Sequence, residues 1–126
     1  MTQPLANAEL AIMELLWSNQ PQTARQIREQ LYTGADKAQH GTVQRLLQRL
    51  EEKGFVTRDR SLPVHLFATT LTRDAYAGGQ LESLADKLTG GSLAPLLTHL
   101  LESNKIPSDE LARLRALLER SREEDA

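Results

Sequence analysis

The spacing of apolar residues changes once along the chain, and this change predicts the fold. Up to residue 54, apolar side chains recur every three or four positions in three segments, which predicts three amphipathic helices. These helices begin near Asn7, at Thr23 and near Gln39. The segments Phe55–Arg58 and Val64–Thr69 then follow the period of two that is typical of strands, and a turn-rich link of hairpin size joins them. Three helices followed by a β-hairpin predict a winged helix-turn-helix domain, mainly α with a small β-hairpin.

Capping residues mark the ends of these elements. Asn7 is a good N-cap for the first helix, and Thr23 forms a capping box with Gln26 at the start of the second helix. Gly54 is predicted to be the glycine that ends the third helix. Because a two-stranded ribbon is marginal on its own, we expect a short extended stretch near Gln22 to support the hairpin.

The third predicted helix has two different faces. Its apolar side consists of Val43, Leu46, Leu47 and Leu50. Its opposite side carries Thr42, Arg45, Gln48 and Arg49. Arg and Gln side chains can donate to guanine N7 and O6, bond adenine edges or contact phosphates, so we interpret this segment as a recognition helix. The alternative is an ordinary surface helix with solvated polar side chains, which is the commoner case for such a helix considered alone.

The chain from residue 72 onward predicts three more helices. Thr72 can cap a helix that continues to Leu88, although Gly78–Gly79 lies inside it and would require either a bend or the close approach of another backbone. Ser92 and Ser108 can cap the next two helices. The end of the last helix, from residue 121, is expected to fray.

The last two helices carry leucine-rich faces that a small domain cannot easily bury. The leucines expected at an association surface are Leu93, Leu96, Leu97, Leu100, Leu101, Leu111, Leu114 and Leu118. Exposed apolar faces of this kind favour a two-fold dimer, and the alternative is a compact cap folded over the wing of the same chain. We therefore expect residues 1–71 to form the winged-helix domain and residues 72–126 a helical dimerisation region.

Composition narrows the classes of function. A chain of 126 residues with 40% hydrophobic and 25% charged residues fits a soluble globular protein. No apolar run is long enough to span a membrane and the first residues lack the features of a signal peptide, so we expect a cytoplasmic protein. The absence of cysteine excludes disulfides and thiolate metal sites. Because His40, His65 and His99 accompany no catalytic motif, we predict no enzyme, no metal site and no cofactor.

Charge is distributed unevenly around the formal net charge of -2. From Lys37 to Arg60 there are six basic and three acidic residues, whereas from Leu71 onward there are seven basic and ten acidic residues. A basic half beside an acidic half suits a sequence-specific DNA-binding protein with a separate association region, and scattered solvated charges are the alternative. A hairpin tip carrying Arg58 and Arg60 would reach the DNA backbone or the minor groove.

Two segments of the chain match motifs of a known family. Ala8–Trp17, with the sequence AELAIMELLW, resembles the AExxVMxxxW opening of the penicillinase-repressor family (BlaI/MecI/CopY). Thr42–Val56 is similar to the TvxxLxxRLxxKGfv pattern of the family's recognition helix and first wing strand. The resemblance extends through Gly90–Gly91 and the leucine-rich end, so it covers most of the chain. It implies a dimeric winged-helix repressor whose two recognition helices bind a palindromic operator, with the C-terminal helices forming the dimer.

The chain departs from the family pattern in three places. Copper-responsive members carry paired CxC motifs at the C-terminus, and this chain has no cysteine. Antibiotic-responsive members are cleaved at an Asn-Phe bond in the dimerisation region, where this chain has Thr98–Leu101. The segment around Arg45 and Gln48 also differs, as expected for a different operator.

These observations predict a set of DNA contacts. Contacts to bases or phosphates are expected from Thr42, Gln44, Arg45, Gln48 and Arg49. Backbone contacts are expected from His40 and from the start of the second helix, at Thr23 and Arg25. Wing contacts are expected from Arg58 and Arg60. A sensor protease, a ligand or another inducing partner that separates the C-terminal helices would release the double-stranded DNA operator from the homodimer.

Two other functions remain as alternatives. In the first, the winged helix is a protein-interaction module, and the leucine-rich helices bind a different protein. In the second, the chain is a repressor that senses small molecules, as multidrug-responsive winged-helix repressors do. The second alternative requires a ligand cavity between the wing domain and the helices of Leu81–Leu101.

Overall fold

The structure is a computed structural model that describes residues 4–32 and 39–125. The elements in chain order are α1 (Asn7–Ser18), α2 (Ala24–Leu31), α3 (His40–Glu52), β1 (Val56–Asp59), β2 (Leu66–Thr69), α4 (Arg73–Leu88), α5 (Ala94–Glu102) and α6 (Ser108–Asp125). This order confirms the predicted winged helix-turn-helix followed by a helical region. Gly34, Asp36 and Lys37, which interrupt the helical pattern of the sequence between the second and third helices, lie outside the described residues.

Contacts along the chain divide it into two compact units. The first unit extends to Leu81 and the second begins at Glu82, which is later than the boundary predicted at residue 71. The division falls within α4. No helix of the part that the structure describes combines the length and the apolar character needed to cross a membrane.

One hydrophobic core joins α1, α2, α3, the hairpin and the start of α4 in the first unit. Its buried members are Ile12, Met13, Leu16, Ile27, Val43, Leu46, Leu47, Leu50, Phe55, Val56, Phe67 and Tyr76. The apolar side predicted for the third helix is therefore the side that faces the core. Burial of these side chains, at roughly 25 cal/mol per Å² of apolar surface, is what holds α3 in place.

The hairpin is a two-stranded antiparallel sheet with a third point of support. β1 pairs with β2 so that Val56 is opposite Thr69 and Asp59 is opposite Leu66. The backbone of Gln22 exchanges hydrogen bonds with that of Phe67, at 3.0 and 2.8 Å, which confirms the extended stretch predicted near Gln22. Both strands begin later than predicted. In the first case the Phe55 amide donates to Leu50 O at the end of α3 instead of joining the sheet.

The start of α2 and the end of α3 match their predictions. Gln26 N donates to Thr23 Oγ1 at 3.1 Å, and Thr23 N donates to Gln26 Oε1 at 2.8 Å, which completes the capping box. Gly54 has a φ of 85° and follows α3, as expected for a C′ glycine. The prediction that Asn7 caps α1 is wrong, because the cap position is Ala6 and its amide donates to the carboxylate of Glu9.

α4 begins where the sequence predicts and continues without a break. Thr72 Oγ1 accepts a hydrogen bond from Ala75 N at 3.1 Å, which confirms Thr72 as the cap. The helix continues across Gly78, where an added methyl group would meet none of the described atoms within 4 Å. Gly90 and Gly91 follow its end with positive φ angles of 63° and 93°.

The two helices of the second unit differ from the predictions at their ends. The N-cap of α5 is Leu93 and no side chain caps it, so the prediction that Ser92 has this role is wrong. α6 has Ser108 as its first residue, and Pro107 O accepts from Leu111 N. α6 continues to Asp125, through the segment from residue 121 in which fraying is expected, so that expectation stays a prediction. Closely spaced opposite charges at its surface are compatible with a helix to that point.

Candidate nucleic-acid interface

α3 presents a row of polar side chains away from the core. Gln44, Arg45, Gln48 and Arg49 are exposed, and Thr42 is half-buried. Arg45 Nη2 lies 3.5 Å from Thr42 Oγ1, and Gln48 Nε2 donates to Glu52 Oε1 at 3.2 Å. Both contacts are at the surface and are therefore weak, so the guanidinium and the amide can exchange them for base edges or phosphates.

An ion pair anchors the C-terminal end of α3 to the N-terminal end of α1. Lys53 Nζ lies 2.9 Å from both carboxylate oxygens of Glu9, which is 2% exposed. Burial alone would raise the pKa of Glu9. The hydrogen bonds from Lys53 and the Ala6 amide, with the charges of Lys53 and Arg49, outweigh burial and hold that pKa below its ordinary value. Glu9 is therefore ionised at neutral pH and fixes the direction in which α3 points.

A cleft of about 940 Å³ opens between the start of α2, the outer face of α3 and the hairpin. Six of the ten residues predicted to contact DNA line this cleft: Thr23, Arg25, His40, Gln44, Gln48 and Arg58. The other four, Thr42, Arg45, Arg49 and Arg60, lie outside its lining. No carboxylate belongs to the lining among the residues that the structure describes, so the cleft favours an anionic occupant.

Two cationic or ionisable residues of the cleft were absent from the predicted set. Arg28 lies one turn after Arg25 on α2, and this spacing places both on one helix face. The helical spacing of Arg25 and Arg28 in α2 could therefore have predicted that Arg28 also faces the cleft. His65 reaches the cleft from the link before β2, and no spacing along the sequence indicates that position.

The wing arginines occupy different positions. The prediction that Arg58 belongs to the hairpin tip is wrong, because Arg58 lies inside β1 opposite Phe67. Its guanidinium carbon lies 4.7 Å from the centroid of the Phe67 ring, and only 21% of its side chain is exposed. Arg60 follows the strand with 57% of its side chain exposed. Both arginines contact one carboxylate, that of Glu51 on α3.

The turn after β1 is organised by Asp59. The Ser61 hydroxyl donates to Asp59 Oδ1 at 2.6 Å, and the Ser61 amide donates to the same oxygen at 2.9 Å. These two hydrogen bonds hold the pKa of this exposed carboxyl below its ordinary value. The turn fixes where the chain leaves β1, next to Arg60.

Comparison with known proteins identifies the family to which the chain belongs. A family model described as penicillinase repressor matches residues 5–120. The chain belongs to the penicillinase repressor family. The transcriptional regulator BlaI of Mycobacterium tuberculosis is 36% identical over 116 residues, covering 90% of this chain and 82% of that protein. The methicillin resistance regulatory protein MecI of Staphylococcus aureus is 22% identical over 117 residues, covering 93% and 94% of the two chains.

A solved structure of a ZitR mutant from Lactococcus lactis aligns with 98% of this chain and 77% of that chain. Its sequence identity is 23% and its TM-score is 0.45, which is too low to support an argument about function.

The penicillinase repressor family consists of transcriptional repressors and not of enzymes. The predicted family and the prediction that the chain is no enzyme are therefore confirmed.

The two sequence motifs that resemble the penicillinase repressor family meet in space. Glu9 belongs to the first motif and Lys53 to the second, and together they form the buried ion pair. Trp17, at the end of the first motif, donates its indole N–H to Leu71 O at 2.9 Å. The motifs therefore include residues that fix the positions of α3 and of the chain after β2.

The leucines predicted for association are exposed or half-buried. Those of them that are at least 38% exposed are Leu93, Leu97, Leu100, Leu101, Leu114 and Leu118. Leu96 and Leu111 are half-buried. Among residues 82–124, only Ala85 is buried. The second unit therefore leaves two leucine-rich helix faces without cover in the described chain.

Proposed function

We propose that the chain is a sequence-specific transcriptional repressor that binds a palindromic double-stranded DNA operator as a homodimer. The observation that supports this most directly is the cleft that brings the start of α2, the outer face of α3 and the wing together without a carboxylate in its lining. DNA carries a phosphate charge on both of its strands, so one cationic surface built from three elements suits a duplex. A repressor of this kind would act in the cytoplasm.

Base reading is assigned to the exposed face of α3. Arg45 can pair with guanine N7 and O6, and Gln44 and Gln48 can pair with adenine edges. Thr42 and Arg49, at the flanks of this face, would contact phosphates or bases. Thr23, Arg25, His40 and the wing arginines would contact the backbone and set the register of α3 on the duplex.

Dimerisation is assigned to the leucine-rich faces of α5 and α6. Apolar helix faces that stay exposed within one chain favour a second copy of the same surface, because a two-fold contact covers both at once. Two half-sites held by one dimer gain avidity of about 10²–10⁴ over a single half-site. Any signal that separates these helices, including a protease or other inducing partner, would therefore release the DNA.

Fluorescence anisotropy tests DNA binding. The purified protein is titrated onto a duplex from the promoter upstream of its own gene and onto a scrambled duplex, each at several salt concentrations. We expect the promoter duplex to bind about 10³-fold more tightly or better, with a logarithmic salt slope of about -0.9 per phosphate contacted. Failure of both duplexes to bind at low salt would refute the proposal and favour a protein-interaction module.

A matched pair of variants locates the interface. Arg45→Ala and Arg113→Ala remove the same charge from exposed helix positions in the first and second units. Only Arg45→Ala is expected to weaken binding to the promoter duplex. An equal loss in both variants would mean that net charge, and not α3, determines the affinity.

A further inference from the structure

The carboxylate of Glu51 connects the recognition helix to the wing. Its Oε2 lies 3.1 Å from Arg60 Nη2, and its Oε1 lies 3.4 Å from Arg58 Nε. Arg60 Nη2 also donates to Oε1 at 3.3 Å. One carboxylate at the end of α3 therefore contacts two guanidinium groups, one inside β1 and one in the link that follows it.

The two arginines differ in how easily they can leave this carboxylate. Arg58 packs on the ring of Phe67, a core residue that is 4% exposed, so its guanidinium is held from two sides. Arg60 has most of its side chain in solvent and no comparable ring contact among the described residues. A phosphate can thus compete for Arg60 with little disturbance of the hairpin, whereas Arg58 stays with the wing.

Glu51 is well placed to control both groups. Its side chain is 25% exposed, so solvent screens the pairs less than it would on an open surface. Through Arg58 and Phe67 the carboxylate is coupled to both strands of the hairpin. Because Glu51 belongs to α3 and contacts both Arg58 and Arg60 of the wing, it can determine how the wing is oriented relative to α3.

We propose that Glu51 is a positioning residue for sequence discrimination, an inference that rests on the proposed DNA-binding function. Glu51 orients the wing relative to α3 and occupies Arg60 in the free protein. Binding to random DNA, which depends on phosphate contacts, is thereby weakened. Binding to the operator is weakened less, because the oriented wing and α3 engage the duplex together.

The test compares Glu51→Gln with Glu14→Gln by anisotropy on operator and scrambled duplexes. Both changes remove one negative charge that is paired with an arginine, but Glu14 lies on α1 and pairs with Arg73 at the start of α4, not with the wing arginines. For Glu51→Gln we expect the salt slope on scrambled DNA to steepen by about 0.9 and its affinity to rise by up to about tenfold at roughly 50 mM salt. The ratio of operator to scrambled affinity falls. Glu14→Gln leaves that ratio unchanged.

An Arg60→Ala background identifies the route of the effect. If Glu51 acts by holding Arg60, the steepening of the salt slope disappears when Glu51→Gln is combined with Arg60→Ala. A steepening that persists in the double variant would overturn the inference. So would an unchanged ratio in Glu51→Gln, or an equal change in Glu14→Gln. Thermal melting of each variant confirms that it is folded.

A measurement without DNA separates this inference from the proposed function. Amide hydrogen exchange of the wing, residues 58–66, is followed by NMR in the wild-type protein and in Glu51→Gln. Faster exchange confined to the wing is expected in the variant, because the link to α3 is lost. Unchanged exchange would overturn the positioning role, whether or not DNA binds. If wing exchange is faster in Glu51→Gln, as expected, but the wild-type protein binds no DNA, the proposed function is refuted instead.

Discussion

Replacing Glu9 by Gln is expected to weaken the attachment of α3 to α1. Glu9 accepts two hydrogen bonds from Lys53 Nζ, each at 2.9 Å, and a third from the Ala6 amide. The substitution keeps the size of the side chain and one acceptor oxygen but removes the charge. Lys53 then keeps its charge without a compensating carboxylate.

The magnitude follows from the burial of the two partners. Breaking a fully buried ion pair costs about 3–5 kcal/mol, but the Lys53 side chain is 31% exposed and water can partly replace the lost partner. A hydrogen bond to a charged group contributes about 1.5–3 kcal/mol. We therefore expect Glu9→Gln to lower the free energy of unfolding by about 1–3 kcal/mol at neutral pH.

The effect should depend on pH in a defined direction. The pKa of Glu9 is lowered on folding from its ordinary value of 4.5, so its contribution is fully present above that value. The contribution is lost as the pH falls through the lower pKa of the folded state. Urea unfolding followed by circular dichroism should show a difference between wild type and Glu9→Gln that is constant from pH 7 down to about pH 5 and shrinks below it.

Glu14→Gln is a matched control on the same helix. Glu14 Oε2 lies 2.6 Å from Arg73 Nη2, so this pair is at least as close, but about half of each side chain is exposed. An exposed pair contributes about 0–1 kcal/mol, and we expect the smaller effect here. Equal losses in the two variants, or a Glu9→Gln effect that does not change between pH 6 and pH 3, would refute the reasoning from burial.

Three further predictions concern DNA, association and the helix that spans the two units. Arg45→Ala should cost about 1–3 kcal/mol of operator binding and little on random DNA. Arg60→Ala should weaken operator binding and reduce its salt slope by about 1 in anisotropy titrations, with a smaller effect on random DNA, because Glu51 holds Arg60 there. Leu101→Asp should give a monomer in analytical ultracentrifugation and lower operator affinity by about 10²-fold or more. Leu62→Asp, at a leucine that is 52% exposed against 47% for Leu101 but lies outside the second unit, should remain a dimer. Gly78→Ala should raise the free energy of unfolding by about 0.5–1 kcal/mol in urea titrations, and a loss would indicate a tight contact with a second copy.

The elements of the fold could be predicted because each depends on local chemistry. The stripe of Leu46 and Leu50, the capping box of Thr23 and the positive φ of Gly54 each follow from the residue itself or from neighbours within one or two turns. The helix ends that were predicted wrongly also depend on local hydrogen bonds. At the start of α1 the Glu9 carboxylate accepts a hydrogen bond from the Ala6 amide, and the N-cap is therefore Ala6 instead of Asn7.

The pairing of distant side chains could not be predicted from the spacing of residues. From the sequence, Arg58 is a cationic residue in a strand-like segment, which suits a contact with DNA. Its packing on the Phe67 ring follows from the register of β1 and β2, which the sequence does not show. The role of Glu51 depends on the path of the link after β1, which brings Arg60 back to α3. Such contacts require the tertiary fold before any of them can be recognised.

The second unit has a physical reason to depend on association. Residues 82–124 bury only Ala85, and segments of this size rarely form a stable core alone. If the leucine faces of α5 and α6 are covered only by a second copy, their packing energy is available only in the dimer and depends on protein concentration. In the proposed dimer, an inducing signal therefore need not reach the DNA-binding surface. Disturbing the leucine contacts would remove the stabilisation of the second unit and the avidity of the two recognition helices at the same time.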